Sequence, residues 1–367
     1  MSENRHFRYQ HEDVASAFSR TLAQRVDEYF ETRGISRHAN AEMFAKAALG
    51  FALWIATYIW MMTDRFGPVA IVGVYVIHGF AQLYMCFNIA HDANHGAYSG
   101  NRSVNRLLSC VFDLVGVSSY VWRLLHNVSH HAFINIRGAD TTLLSGNIFR
   151  FSPHDPRRPY HRFQHLYAPL LYSLSSLDWT VTKDFRWLTR EKSFGNRRRV
   201  RHPLDELIVL FTAKAFYAFY MLVVPMMFLS VPWYSIVAGF IALHLCMGFT
   251  IALIFQPNHF NDTATFPEAD GEGHIENNYV RHVFDTTSDY ANRPFPNWIL
   301  GGLNLHVIHH MFSTICHVHY PALTKIVKAT AEEYGLEYRE VPTISGAFLA
   351  HLRWLKGLGT SERVTAS

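Results

Sequence analysis

Twenty-three of the 367 residues are histidine, and three groups of them have spacings that matter chemically. His91-Asp92-Ala93-Asn94-His95 sets two imidazoles four residues apart. His126-Asn127-Val128-Ser129-His130-His131 gives offsets of four and five, and His306-Val307-Ile308-His309-His310 gives three and four. On a helix, side chains three or four residues apart share a face, so such imidazoles can reach one metal ion. His259, in Gln256-Pro257-Asn258-His259, stands alone between the second and third groups. A single histidine beside an apolar helix is usually a hydrogen-bonded structural residue. Eight at helical spacing, with His259 as a ninth, exceed what one tetrahedral structural zinc uses, and two metals are implied.

These groups need elements that bring them together. Apolar residues run from about Phe44 to Met62, break at Thr63-Asp64-Arg65-Phe66-Gly67-Pro68, and resume from Val69 to Ala90. A second pair runs from Leu207 to Leu229 and from Trp233 to Phe255, divided only by Ser230-Val231-Pro232. Each arm is near the ~20 residues that cross ~30 Å of hydrocarbon. The length alone would suit two soluble domains, but a mean hydropathy near zero with the apolar residues gathered in long runs overrides it. The sequence predicts an all-α integral membrane protein: four transmembrane helices in two hairpins, under a cytoplasmic helical cap that holds the histidines. Lys46 is placed to snorkel from the start of the first span. The weaker apolar stretch Leu107 to Trp122 carries Asp113 and Gly116 and reads as a buried or re-entrant segment. Residues 165–178, with Tyr167 and Tyr172, read either as interfacial or as a buried helix of the soluble type.

Residues 1–43 form a cytoplasmic N-terminal segment whose Val14, Phe18, Leu22, Val26 and Phe30 recur at helical spacing, for packing on the protein or on the membrane. Residues 44–367 form the membrane domain with its cap, including helices near Leu323 to Tyr334 and Ile344 to Leu358. Fourteen Lys and Arg lie between Arg123 and Arg201, against Arg65 alone in the two hairpin loops. That bias puts the large loop and both termini in the cytoplasm; the membrane expected is a bacterial inner membrane. No signal peptide, internal repeat or low-complexity segment is visible. The net charge of +4 reflects this flanking bias; no nucleic-acid-binding motif accompanies it. Cys86, Cys110, Cys246 and Cys316 are scattered, form no C-x-x-C pair, and read as small buried hydrophobes.

Imidazole suits iron, copper, nickel and zinc, so ligand type alone does not choose the metal. The site lies at the mouth of an apolar bundle whose natural guest is an alkyl chain, and hydrolytic zinc has nothing to polarise in an unactivated C–H bond. An O2-activating centre is required, which favours two irons over copper. His259, about 26 residues and roughly 39 Å beyond Trp233 on a continuous helix, reaches the level of His91 and His95, with Pro257 turning the chain inward at Gln256.

The three groups, in order and between four spans, resemble the histidine boxes of the membrane fatty-acid desaturases, over roughly residues 45–355. The segments Asp285-Thr286-Thr287-Ser288-Asp289-Tyr290, Gly301-Gly302-Leu303-Asn304-Leu305-His306 and His317-Val318-His319-Tyr320-Pro321 look like the bacterial linoleoyl-CoA, front-end-type branch. The resemblance implies a di-iron centre held by His91, His95, His126, His130, His131, His259, His306, His309 and His310. Asp92 and Asn127 would orient ligating rings, and His282 would stand beside the ligands. It further implies O2 as cosubstrate and a fatty acyl substrate, as free acid, acyl-CoA, acyl-carrier protein or acyl lipid. No fused electron-donor domain is visible, so electrons would come from a separate ferredoxin or cytochrome.

Two positions depart from that branch: His306 stands where Gln is usual, and Phe312-Ser313 follows the third box where Phe-Pro is usual. The expected reaction is desaturation, with hydroxylation, acetylenic-bond formation or decarboxylation to a terminal alkene as same-scaffold alternatives. A membrane transporter or sensor binding zinc or copper is the rival of another class, and it would place its histidines inside the spans, where only His78 and His244 lie. Arg197-Arg198-Arg199-Val200-Arg201 suits either a headgroup phosphate or the charge bias alone.

Overall fold

Long apolar runs with few breakers satisfy every backbone group internally when they fold as helices, as a hydrocarbon environment demands. The computed structural model, described over residues 6–10, 13–144, 146–189 and 201–360, contains four such helices: Ala41–Met61, Ala70–Asn94, Leu204–Phe228 and Trp233–His259. Their lengths and composition are those of a multi-pass membrane protein. Asn40 starts the first span by accepting a hydrogen bond from the Met43 amide (3.2 Å). At the far end from the histidines the hairpin loops are tied together, with the Ser230 amide and hydroxyl both donating to Asp64 (2.7 and 2.6 Å). The second and fourth spans share the most extensive helix contact; the second carries His91 in its last turn and the fourth ends in His259.

The stretch around 107–122 is sharply bent, as in a broken span or a re-entrant loop: the helix Arg102–Leu114 meets Ser119–His130 at 110°. Gly116 makes the corner with φ +81°, and a Cβ there would lie 2.5 Å from the Tyr217 ring, so the turn needs glycine on both counts. The helix Gln164–Ser173 buries Ala168 and Tyr172 while Leu166 and Leu170 on another face are exposed, which suits an element lying along an apolar boundary.

The N-terminal helix Asp13–Arg33 packs on the protein. Phe18, Leu22, Val26 and Phe30 are buried in a cluster that includes Leu323 and Val327 of the helix Tyr320–Glu333, and Arg25 forks onto Glu333 at 2.8 Å. The last helix, Ile344–Thr360, runs where the apolar periodicity put it. Two pairs of two-residue parallel strands, Arg8–Tyr9 with His274–Ile275 and Asp289–Tyr290 with Glu340–Val341, add to an otherwise helical fold.

Two expectations need correction. Lys46 does not snorkel: it is buried, with its Nζ 2.8 Å from His317 Nε2, because that ring nitrogen offers an acceptor inside the protein. Pro257 does not turn the chain at Gln256; the helix runs unbroken to His259. Near a helix end a proline sacrifices only one backbone bond, here the one its missing N–H would make to the Leu253 carbonyl, so the helix continues. Residues 197–200 of the basic stretch lie outside the described residues.

Candidate metal centre

Four elements converge at the ends of the second and fourth spans. The second span delivers His91 and, one residue past its end, His95; the bent segment delivers His126 and His130; the fourth span ends on His259; the short helix His306–Met311 carries the last three. Their side chains sort into two groups, each with ligand atoms within 4.8 Å of one another: His91, His95, His126 and His309 in one, His130, His259, His306 and His310 in the other. His131 joins the first, its Nε2 standing 2.9 Å from His309 Nε2 and 3.1 Å from His126 Nε2. All nine histidines are thus brought together.

The grouping differs from simple helical spacing in one place. His126 and His130, four residues apart, fall in different groups, whereas His126 and His131 meet. Leu124–His130 is wound as a π-helix, in which the His131 amide bonds back five residues to His126 (2.8 Å). A second π-turn, Cys86–Ala90, immediately precedes His91. Against it lies the Gly301-Gly302 turn that leads into His306: a Cβ on Gly301 (φ +62°) would stand 2.3 Å from the Phe87 carbonyl oxygen.

Outer ring nitrogens are fixed by the protein. His130 Nδ1–H donates to Asp140 (3.0 Å), His259 Nδ1–H to the Thr286 carbonyl (3.2 Å) and His306 Nδ1–H to the Leu303 carbonyl (3.0 Å). His309 Nδ1 stands 3.3 Å from the Tyr320 hydroxyl. With Nδ1 carrying the proton, Nε2 carries a bare lone pair. His130 and His259 then point lone pairs at each other across 3.2 Å, and His91, His95 and His306 have buried Nε2 atoms without a partner. This is repulsive and unsatisfied for protein alone, and it is relieved by a shared cation. Nitrogens ~2.0–2.1 Å from one ion stand roughly 3 Å apart, so the donor set fits a metal in each group. Burial and the neighbouring imidazoles push His131, His306, His309 and His310 well below their ordinary range, into the neutral ligating form.

Comparison with known proteins bears on the same residues. Residues 66–342 match the family model described as fatty acid desaturase. The chain belongs to the fatty acid desaturase family. It is 34% identical over 350 residues to the sn-1 linoleoyl-lipid 6-desaturase of Synechocystis sp., covering 94% of this chain and 96% of that one. The corresponding enzyme of Arthrospira platensis is 31% identical, with 95% and 94% covered. The acyl-lipid (8-3)-desaturase of Physcomitrium patens is 32% identical over 94% of this chain and 72% of its own. This protein is accordingly an oxidoreductase of that family, and its relatives place it in the front-end branch.

Around the histidines of this desaturase, Asp92 takes two hydrogen bonds from His317, amide (3.0 Å) and Nδ1 (2.9 Å), and its other oxygen lies 3.8 Å from His91 Nδ1. Asn127 donates to the Asn94 carbonyl (2.9 Å), joining the second histidine group to the end of the first. His282 belongs to neither cluster; its Nε2–H donates to the Ile134 carbonyl (2.7 Å). His78 and His244 are single, each bonded to hydroxyls of neighbouring helices: Thr57 at 2.8 Å for the first, Ser176 and Tyr217 at 3.0 and 3.2 Å for the second.

Sequence reasoning missed Asp140 and Tyr320. Asp140 is buried and also takes the Asn135 and Thr142 amides at 3.0 and 2.9 Å. Burial alone would raise its carboxyl, but His130 and Thr142 outweigh that and hold it below its usual range. An aspartate ten residues past His130 has no helical spacing to reveal it, whereas Tyr320 sits inside the His317-Val318-His319-Tyr320-Pro321 segment already singled out. A cavity of about 650 Å3 opens beside Leu253, Arg293 and Phe348, and none of the histidines lines it.

Proposed function

We propose that this desaturase holds two irons, with His91, His95, His126, His131 and His309 around one and His130, His259, His306 and His310 around the other, and uses O2 to convert a CH2–CH2 unit of a fatty acyl chain to CH=CH. The observation that carries the reading is the pairing of two imidazole clusters in which the outer nitrogens of His130, His259, His306 and His309 are already held by the protein. The balance is two hydrogens from the chain, two electrons and two protons from outside, and one O2 reduced to two waters. Iron in an imidazole ligand set supplies the oxidising power that an unactivated C–H bond requires. The protein residues supply position. Asp140 and the Thr286 and Leu303 carbonyls hold ring tautomers and directions, and the buried setting of the second cluster keeps water from competing with the substrate.

The substrate we propose is a polyunsaturated acyl chain carried on a membrane lipid, desaturated toward its carboxyl end; the cyanobacterial relatives are named sn-1 linoleoyl-lipid 6-desaturases. A separate ferredoxin or cytochrome delivers the electrons to the histidine side, which faces the cytoplasm. The test is expression in a cyanobacterial or bacterial host given linoleate, with lipid classes separated and their acyl chains analysed by mass spectrometry. A new double bond between the carboxyl group and the existing pair is expected. Accumulation of hydroxylated chains or of terminal alkenes in its place would sink the desaturase assignment.

A further inference from the structure

A lysine buried in a membrane helix is expensive unless it is partnered. Lys46 lies in the second turn of the first span, away from the histidine clusters in sequence, yet it is buried with Nζ 2.8 Å from His317 Nε2, while His317 gives both its amide and Nδ1–H to the buried Asp92 carboxylate at 3.0 and 2.9 Å. Lys46 also lies 5.3 Å over the face of the Trp298 ring. Three elements are joined by this chain: the first span, the short turn His317–His319 and the end of the second span.

The donors and acceptors allow one arrangement. A carboxylate only accepts, so the Nδ1 facing Asp92 carries hydrogen; the lysine ammonium facing Nε2 only donates, so that nitrogen carries none. Lys46 thus selects the neutral Nδ1–H form of His317, which fixes one oxygen of Asp92 and leaves the other 3.8 Å from His91 Nδ1. A negative charge on that side favours the proton on His91 Nδ1, which frees the unpartnered His91 Nε2 toward the first cluster. The same Asp92, Cys316 and His317 side chains lie close enough to hold an ion of their own, but both ring nitrogens of His317 are already engaged.

We propose that Lys46 and His317 are positioning residues for the first metal, acting through Asp92 on His91. The proposal rests on the reading that the nine histidines hold two metals. It is tested by titrating metal-free protein in detergent with Co2+ and following the absorption of each uptake step, without turnover. Lys46→Met and His317→Leu should weaken one of two steps by about 10–100-fold and change its band, with the other step unchanged. His317→Asn, whose amide nitrogen takes the place of Nδ1–H and has no tautomer to select, should recover the step, and adding Lys46→Met to it should cost nothing more. Two unaltered steps in both Lys46→Met and His317→Leu, both steps weakened together, or a further loss in the double variant overturns the proposal. A parent protein that takes up fewer than two Co2+ overturns the two-metal reading itself, and the brace falls with it.

Discussion

The two histidine clusters are built from the same side chain but held differently. In the cluster of His130, His259, His306 and His310, every ring is buried and three outer nitrogens are tied, one to the Asp140 carboxylate and two to backbone carbonyls. In the cluster of His91, His95, His126 and His309, His95 and His126 are partly exposed, and the outer contacts are the longer ones, 3.3 Å from His309 to Tyr320 and 3.8 Å from His91 to Asp92. Backbone carbonyls are fixed by the fold, whereas side-chain partners depend on their own supports. The comparison predicts a pair of inequivalent metals: one locked into the protein, the other more accessible and tuned by a relay of side chains.

The largest effect should come from breaking the locked cluster itself. His310→Ala and His259→Ala are each expected to abolish turnover and to leave about one metal per chain, while the protein still inserts because its four spans hold their own backbone bonds; metal analysis of purified protein together with product analysis checks this. Two metals and parent-like turnover in His259→Ala would remove that residue from the ligands and make His282 the next to test. Asp140→Ala, which frees the His130 ring without removing it, should weaken metal binding or activity by about 10–100-fold, with the loss confined to the locked cluster. Chelator removal should be biphasic, the partly exposed cluster emptying first; a single phase would erase the proposed difference. Tyr320→Phe deletes one hydroxyl contact worth about 0.5–1.5 kcal/mol and should shift the accessible metal's affinity by no more than about tenfold.

The smallest effect concerns the helix His306–Met311, which feeds both clusters. Asp289 accepts the Val307 amide at 2.9 Å and a hydroxyl hydrogen from Tyr338. Burial pushes its carboxyl from an ordinary 3.8 up to about 7. Between those values the unfolded chain has released a proton that the folded chain retains, so this group lowers stability as pH rises from about 4 to about 7, with no further change above. Asp289→Asn should flatten that part of the melting profile and leave the metal count of both clusters unchanged.

Much of this architecture is written locally. Long apolar runs must become helices in hydrocarbon, so the four spans were legible within a few residues of their ends, as was the N-terminal helix from its four buried apolar positions. Eight of the nine histidines were legible because their spacing and their number are improbable for structural residues, and His259 from its place at the end of the fourth apolar run. Lys46 was misread because snorkelling is the default for a lysine at a span end, and only the folded chain shows an imidazole waiting for it from 271 positions away. Asp140 was invisible for the related reason that a loop side chain has no periodicity.

The sequence by itself determined the apolar helices and the three histidine groups, since both follow from composition and short-range spacing. The tertiary structure alone decided which histidine belongs to which cluster and what holds each ring. His126 and His130 part company because a π-turn changes the residues per turn, and His259 joins rings from three other elements only where the ends of the second and fourth spans meet the bent segment and the His306–Met311 helix. Those choices depend on how separate helices are placed against one another, and spacing along a single helix carries no information about that placement.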